Sequence, residues 1–181
     1  MALSNRDRID KMLEIASPAL DGFIQAAVQS ELTAGADWTM LVALRDEQKG
    51  IKDKKYSRTD PQLQLRMLTE NIPSQVKQGW YPFNGLLSQV QKSFASELRD
   101  VRDAWAHHKP FSNDDAYRAL DTAERLLDAI GASVEAEAVE KLRLDLRRVT
   151  ADQDDKRTLK KATAAVGSNL DLSSGVWRHG S

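Results

Sequence analysis

Apolar residues recur at helical spacing almost from the start of the chain: Ile9, Met12, Leu13 and Ala16 step by three or four, as one buried stripe of an α-helix requires. Ser4, with Asp7 three residues later, has the form of a capping box and marks where that helix begins. Ser17-Pro18 reads as a cap followed by proline at a first helical position, so a second helix is expected from there, with Leu20, Phe23, Ile24, Ala27 and Val28 on its apolar face. Asp37 is placed to cap a short helix carrying Trp38, Leu41, Val42 and Leu44. The stretch from Lys49 to Arg58, with four lysines, one arginine and a glycine, breaks the pattern and reads as a loop. Asp60-Pro61 restarts a helix with Leu65, Leu68 and Ile72 on one side, and Pro73 to Pro82 reads as a second irregular connection.

The longest periodic run is Phe83, Leu86, Leu87, Val90, Phe94, Leu98, Val101 and Trp105, which predicts one long bundle helix that Lys109-Pro110 ends. Ser112-Asn113-Asp114-Asp115 then caps a helix with Tyr117, Leu120, Leu127 and Ile130, and Gly131 is placed to terminate it. A last helix from about Ser133 carries Val139, Leu142, Leu146 and Val149. After Ala151 the apolar period fades, and the segment from Gly167 to Ser181 is rich in glycine and serine. No segment alternates with period two. The expectation is an all-α fold, an up-and-down four-helix bundle core with additional short helices, occupying residues 1–150. Residues 151–181 are expected to form a polar, flexible tail or linker.

Composition narrows the chemistry. The 181 residues contain no cysteine, which removes disulfides, thiolate zinc sites and cysteine nucleophiles and fits a reducing compartment. No apolar run approaches the roughly 20 residues that span a bilayer, and the N-terminus has no signal-peptide stretch, so a cytoplasmic protein without membrane contact is expected. Lys and Arg total 26 against 27 Asp and Glu, so any nucleic-acid binding must come from a local patch. There is no P-loop, no Gly-x-Gly and no His-Glu-x-x-His.

Of three histidines, His179 lies in the tail, which leaves His107 and His108 at the end of the long helix. Asp103 is four residues before His107, on the same helical face, where its carboxylate can orient the imidazole. Arg102 is five residues before His107, about 140° away around a straight helix, so the two converge only if the helix ends or distorts there or if two copies pack together. An Arg and a His near a helix C-terminus also fit simple capping and dipole compensation. Trp105 shares the stripe of Leu98 and Val101 and reads as core. Adjacent histidines point about 100° apart, and no second pair completes a metal shell, so no metal and no cofactor are expected. The loop bearing Lys49, Lys52, Lys54, Lys55 and Arg58, with Tyr56 among them, fits either an RNA-backbone contact or a merely solvated charge run.

Arg102-Asp103-Ala104-Trp105-Ala106-His107 resembles the hallmark of the HEPN superfamily: Arg, a polar residue, a short spacer, then His. The surrounding run Ser96 to His107, with Pro110 to Leu127 after it, is similar to HEPN domains at the N-terminus of bacterial ATPases and helicases linked to restriction and phage defence. The likeness extends more loosely from Ser4-Asn5-Arg6-Asp7-Arg8, through Asp60 to Arg66, to about Thr150. Membership implies a helical bundle, frequent homodimerisation and, in active members, a metal-independent endoribonuclease. By this resemblance His107 acts as general base or acid, Arg102 stabilises charge on the phosphoryl group, and Asp103 fills the polar position, where close relatives often have Asn. The products are a 2′,3′-cyclic phosphate and a 5′-hydroxyl. His108 and Lys109, with Lys52, Lys54 and Lys55, are the candidate RNA contacts. RNA, tRNA included, is the expected partner, together with a second copy and an ATPase, helicase or antidote protein from the same locus. Some HEPN domains have lost activity and serve only as dimerisation or docking modules.

Overall fold

Three serines begin helices by the same reciprocal device. Ser4 Oγ accepts from Asp7 N at 3.0 Å while Ser4 N donates to Asp7 Oδ2 at 3.2 Å. Ser88 and Gln91 exchange the same pair of bonds at 3.1 and 2.9 Å, and Ser112 and Asp115 at 3.0 and 3.3 Å. Each box satisfies two backbone donors that a helix start leaves unpaired. A computed structural model, describing residues 3–72 and 79–180 with side chains as far as residue 167, shows what these starts produce. The helices are α1 (Asn5–Val28), α2 (Thr39–Gln48), α3 (Pro61–Thr69), α4 (Gln89–Ala106), α5 (Asn113–Ala129) and α6 (Ser133–Gly180). Among the described residues there is no strand, only isolated bridges such as Ile72 with Trp80.

The expected all-α bundle is present. The chain divides into two compact units, Met1–Arg143 and Leu144–Ser181. In the first, α4 packs against α3 and α5, α1 packs against α5 and α3, and α2 rests on α3. Helix α3 is the central element, with every residue from Leu63 to Leu68 buried. Ile9, Met12 and Ile24 of α1, Leu98 of α4 and Leu120 and Leu126 of α5 are also buried in the core, each fully buried aliphatic side chain contributing about 1.5–3 kcal/mol. Among the described residues no helix is long and apolar enough to cross a membrane.

Two sequence expectations need correction. First, Ser17-Pro18 starts no second helix: Pro18 lies inside α1. Proline there leaves the Glu14 carbonyl without its donor, but both residues are exposed, so water can serve it. Ser17 is buried and tied to α3 instead, accepting from Gln64 Nε2 at both its carbonyl and its hydroxyl, 3.0 Å each. Second, the long helix begins at Gln89, not Phe83. The Ser88 box starts it, after a turn in which Gly85 adopts φ +86°, a conformation that L side chains rarely take. Phe83 is still core, stacked on Phe23 at 5.5 Å, whereas Leu86 and Val90 are exposed. After Ala151, α6 continues to Gly180, and residues 151–167 are all exposed. Of the expected Pro73–Pro82 connection, residues 73–78 lie outside the described residues.

Candidate functional site

The end of α4 is set by backbone chemistry. His107 is its C-cap at φ −91° and ψ 14°, and His108 follows in the left-handed region at φ 55°. Lys109 N donates to Ala104 O at 2.9 Å and His108 N to Trp105 O at 3.2 Å, the two bonds of a Schellman ending. Helix α5 ends identically, with Ala132 N on Leu127 O, Gly131 N on Asp128 O and Gly131 at φ 78°. At the end of α4 a histidine occupies the position that glycine fills in α5. Helix α4 thus ends at His107. Pro110 follows, where it cannot be drawn back into the helix.

Arg102, on the last full turns of α4, is mostly covered, its side chain 20% exposed. Its Nη1 donates to Gln62 Oε1 in the first turn of α3 at 2.8 Å and lies 3.7 Å from Asp103 Oδ1. Its Nε is buried without a partner among the described residues. Asp103 is half exposed, and His107 is exposed. Among the described residues no hydrogen bond or ion pair joins the His107 imidazole to Asp103 or to Arg102.

The structure adds a residue that sequence reasoning did not assign to the site. Arg6, in the first turn of α1, donates from Nη1 to Trp105 O at 2.9 Å, and its guanidinium carbon sits 5.3 Å from the Trp105 ring centroid. Trp105 is half-buried with Arg6 over its face. Beside it, Asn5 Nδ2 donates to Phe111 O and to Asn113 Oδ1 at 3.0 and 2.9 Å. The starts of α1 and α5 are thus tied to the end of α4. The available signal was a cation in a first helical turn, where the helix dipole disfavours it; Gln62 carried no such signal.

Most other arginines of the fold are neutralised by carboxylates. Arg66 makes a bidentate pair with Asp46 at 2.7 and 3.1 Å and a further bond to Glu70 at 2.9 Å. Arg45 and Arg99 also hold Glu70, and Tyr56 Oη donates to Asp46 Oδ2 at 2.7 Å. The Arg66 hydrogen bonds outweigh burial and lower Asp46 to about 2. Burial opposes ionisation of Glu70, yet the bonds from Arg66 and Arg45 lower it to about 2 as well. Arg6 and Arg102 differ, because their hydrogen bonds end on a backbone carbonyl and an amide oxygen. The uncharged acceptor leaves the Arg6 charge largely uncompensated, while Arg102 has the half-exposed Asp103 carboxylate at 3.7 Å and no closer carboxylate among the described residues.

The basic loop separates into two sets. Lys49, Lys52, Lys54 and Lys55 are exposed, whereas Tyr56 turns inward to Asp46 and Arg58 pairs with Asp21 at 2.8 Å. Among the described residues no hydrogen bond or ion pair joins this loop to the Arg102–His107 end of α4, where His108 and Lys109 are also exposed. Nor do three or more His, Cys, Asp or Glu side chains cluster in a way that could hold a metal ion, among the described residues.

Residues 11–131 match the model of the Swt1-like HEPN family, and the chain belongs to that family. The match takes in most of α1 and all of α2, α3, α4 and α5, with Gln62, Arg102 and His107, and leaves out Arg6. No curated protein and no solved structure matches the chain.

Proposed function

We propose that this protein is a metal-independent endoribonuclease of the HEPN type, acting as a homodimer, in the setting of phage defence or a toxin-like system. One observation supports this above the others: Arg102 is hydrogen-bonded only to the neutral Gln62 among the described residues, with the Asp103 carboxylate no closer than 3.7 Å, next to a helix end that presents an exposed histidine. A guanidinium in that state can take a phosphate, and an imidazole is the side chain best suited to moving a proton near neutral pH.

In the proposed reaction the 2′-hydroxyl oxygen attacks the adjacent phosphorus as His107 removes its proton. The bond from phosphorus to the 5′ oxygen breaks, and that oxygen gains a proton from the partner's His107. Arg102 stabilises the charge that builds on the phosphoryl oxygens, and Asp103, unbonded to His107 in the free chain, is assigned to orient the base once RNA is bound. Facing copies of α4 would bring two such sets to one cleft, removing the angular mismatch within a single chain. His108, Lys109 and the loop lysines Lys52, Lys54 and Lys55 contribute backbone contacts to the RNA. The test is cleavage of RNA in EDTA: cyclic-phosphate ends and full resistance of a strand with 2′-deoxy at the cleaved position are expected. Cleavage of that strand would overturn the mechanism.

A second reading, a non-catalytic HEPN domain docking an ATPase or helicase, draws support from residues 151–167, helical and exposed throughout. It expects no cleavage by the pure protein and stable binding of that partner.

A further inference from the structure

Arg6 has two of its guanidinium nitrogens uncommitted. Nη1 is spent on Trp105 O, but among the described residues Nε and Nη2 have no hydrogen-bond partner, and no carboxylate lies within ion-pair distance. The anchoring carbonyl is two residues before His107 in the chain. Trp105 also restrains the group through its ring, so much of the rotamer freedom that a surface arginine would lose on binding is already lost. A half-buried cation, fixed at one nitrogen and offering a free edge, is suited to an oxyanion that accepts two parallel hydrogen bonds. Single-stranded RNA supplies such groups in series, one phosphodiester per nucleotide.

We infer that Arg6 is a second phosphodiester-binding residue of this site, contacting a phosphate that flanks the one held by Arg102. The inference rests on the ribonuclease reading above. It assigns Arg6 to grip on the strand, while Arg102 and His107 act on the bond that breaks. The competing account is that Arg6 only fastens α1 to the end of α4, satisfying the Trp105 carbonyl and stacking on its ring. The two accounts separate in the salt dependence of binding, because a fastener changes stability without changing how many phosphates are neutralised.

The experiment measures binding of a short, fluorescein-labelled 2′-O-methyl oligoribonucleotide, which cannot be cut by 2′-hydroxyl attack, across a potassium chloride series. Wild type, Arg6→Gln and Arg6→Lys are compared as full chains, each shown to be folded by circular dichroism. Arg6→Gln should weaken binding roughly tenfold at low salt and reduce the slope of log affinity against log salt by about 0.7. Arg6→Lys should keep the slope, since the charge remains, and lose affinity several-fold with the planar fork. Wild-type slope and affinity in Arg6→Gln, even with a lowered melting temperature, would overturn the inference. If Arg6→Gln does not fold, wild-type affinity in Arg6→Lys overturns it. Absence of binding by the wild type itself would instead sink the RNA reading of the site, and this inference with it.

Discussion

Arg102 on α4 and Gln62 on α3 are joined by one hydrogen bond of 2.8 Å, from Nη1 to Oε1. The arginine of the Arg-x4-His motif is therefore positioned by a neutral side chain on the neighbouring helix, with the half-exposed Asp103 carboxylate standing off at 3.7 Å. Gln62→Ala should leave the fold intact, since Gln62 is only half-buried in the first turn of α3, and should lower kcat/KM for RNA roughly tenfold, about 1.4 kcal/mol at the transition state. Gln62→Glu should lower it further, by giving Arg102 a directly hydrogen-bonded carboxylate in addition to Asp103 at 3.7 Å. Steady-state cleavage of one RNA substrate by the three proteins checks both; equal rates would remove Gln62 from the account.

His108 adopts φ 55° in a Schellman ending whose counterpart in α5 uses Gly131 at φ 78°. A left-handed residue other than glycine costs about 1–2 kcal/mol. His108→Gly should accordingly stabilise the protein by about 1 kcal/mol and raise Tm by roughly 2–4 °C. His108→Val, β-branched at the same angle, should lower it. Thermal unfolding of the two variants reads the result; no gain in His108→Gly would show that the imidazole makes up for the strain.

Asp46 and Glu70 both sit at about 2, well below the ordinary carboxyl range near 4, because three arginines surround them. A folded-state pKa below the unfolded one gives stability that is complete above about pH 4 and is lost as pH falls through about 2. Urea unfolding between pH 5 and 2 should show a falling midpoint over that window. Asp46→Asn should remove its share of the pH dependence and cost about 3–5 kcal/mol at neutral pH, since Arg66 then loses a buried partner. A pH-independent midpoint in the wild type would contradict the assignment.

Much of the bundle was legible because its signals are local. The Ser4 and Ser112 boxes, Asp60-Pro61 and Gly131 each fix a helix boundary through bonds within a few residues, and those boundaries hold. The errors came where local signals conflict with packing. Pro18 reads as a helix start, but burial of Ser17 against Gln64 carries α1 through it. The apolar spacing of Phe83 to Val90 continues that of α4, although Gly85 and the Ser88 box make the helix start only at Gln89. The motif residues were visible as Arg102, Asp103 and His107, and the closing of α4 beyond them was foreshadowed by Pro110. Their supports were not, because the bonds from Arg102 to Gln62 and from Arg6 to Trp105 span 40 and 99 residues. No periodicity encodes contacts of that range. The Asp46–Arg66 pair was missed for the same reason, since it joins α2 to α3 across 20 residues, although Arg66 and Glu70 are a local i, i+4 pair at the end of α3.

The most direct measurement is cleavage of a defined RNA pool, tRNA included, in EDTA by the wild-type chain and by His107→Ala, with circular dichroism confirming that both are folded. The wild type should cut and leave 2′,3′-cyclic phosphate ends, and His107→Ala should be slower by roughly 10²–10⁴-fold. Equal cleavage by both proteins, or none by the wild type, would contradict the assignment of His107 as the proton-transfer group of a ribonuclease.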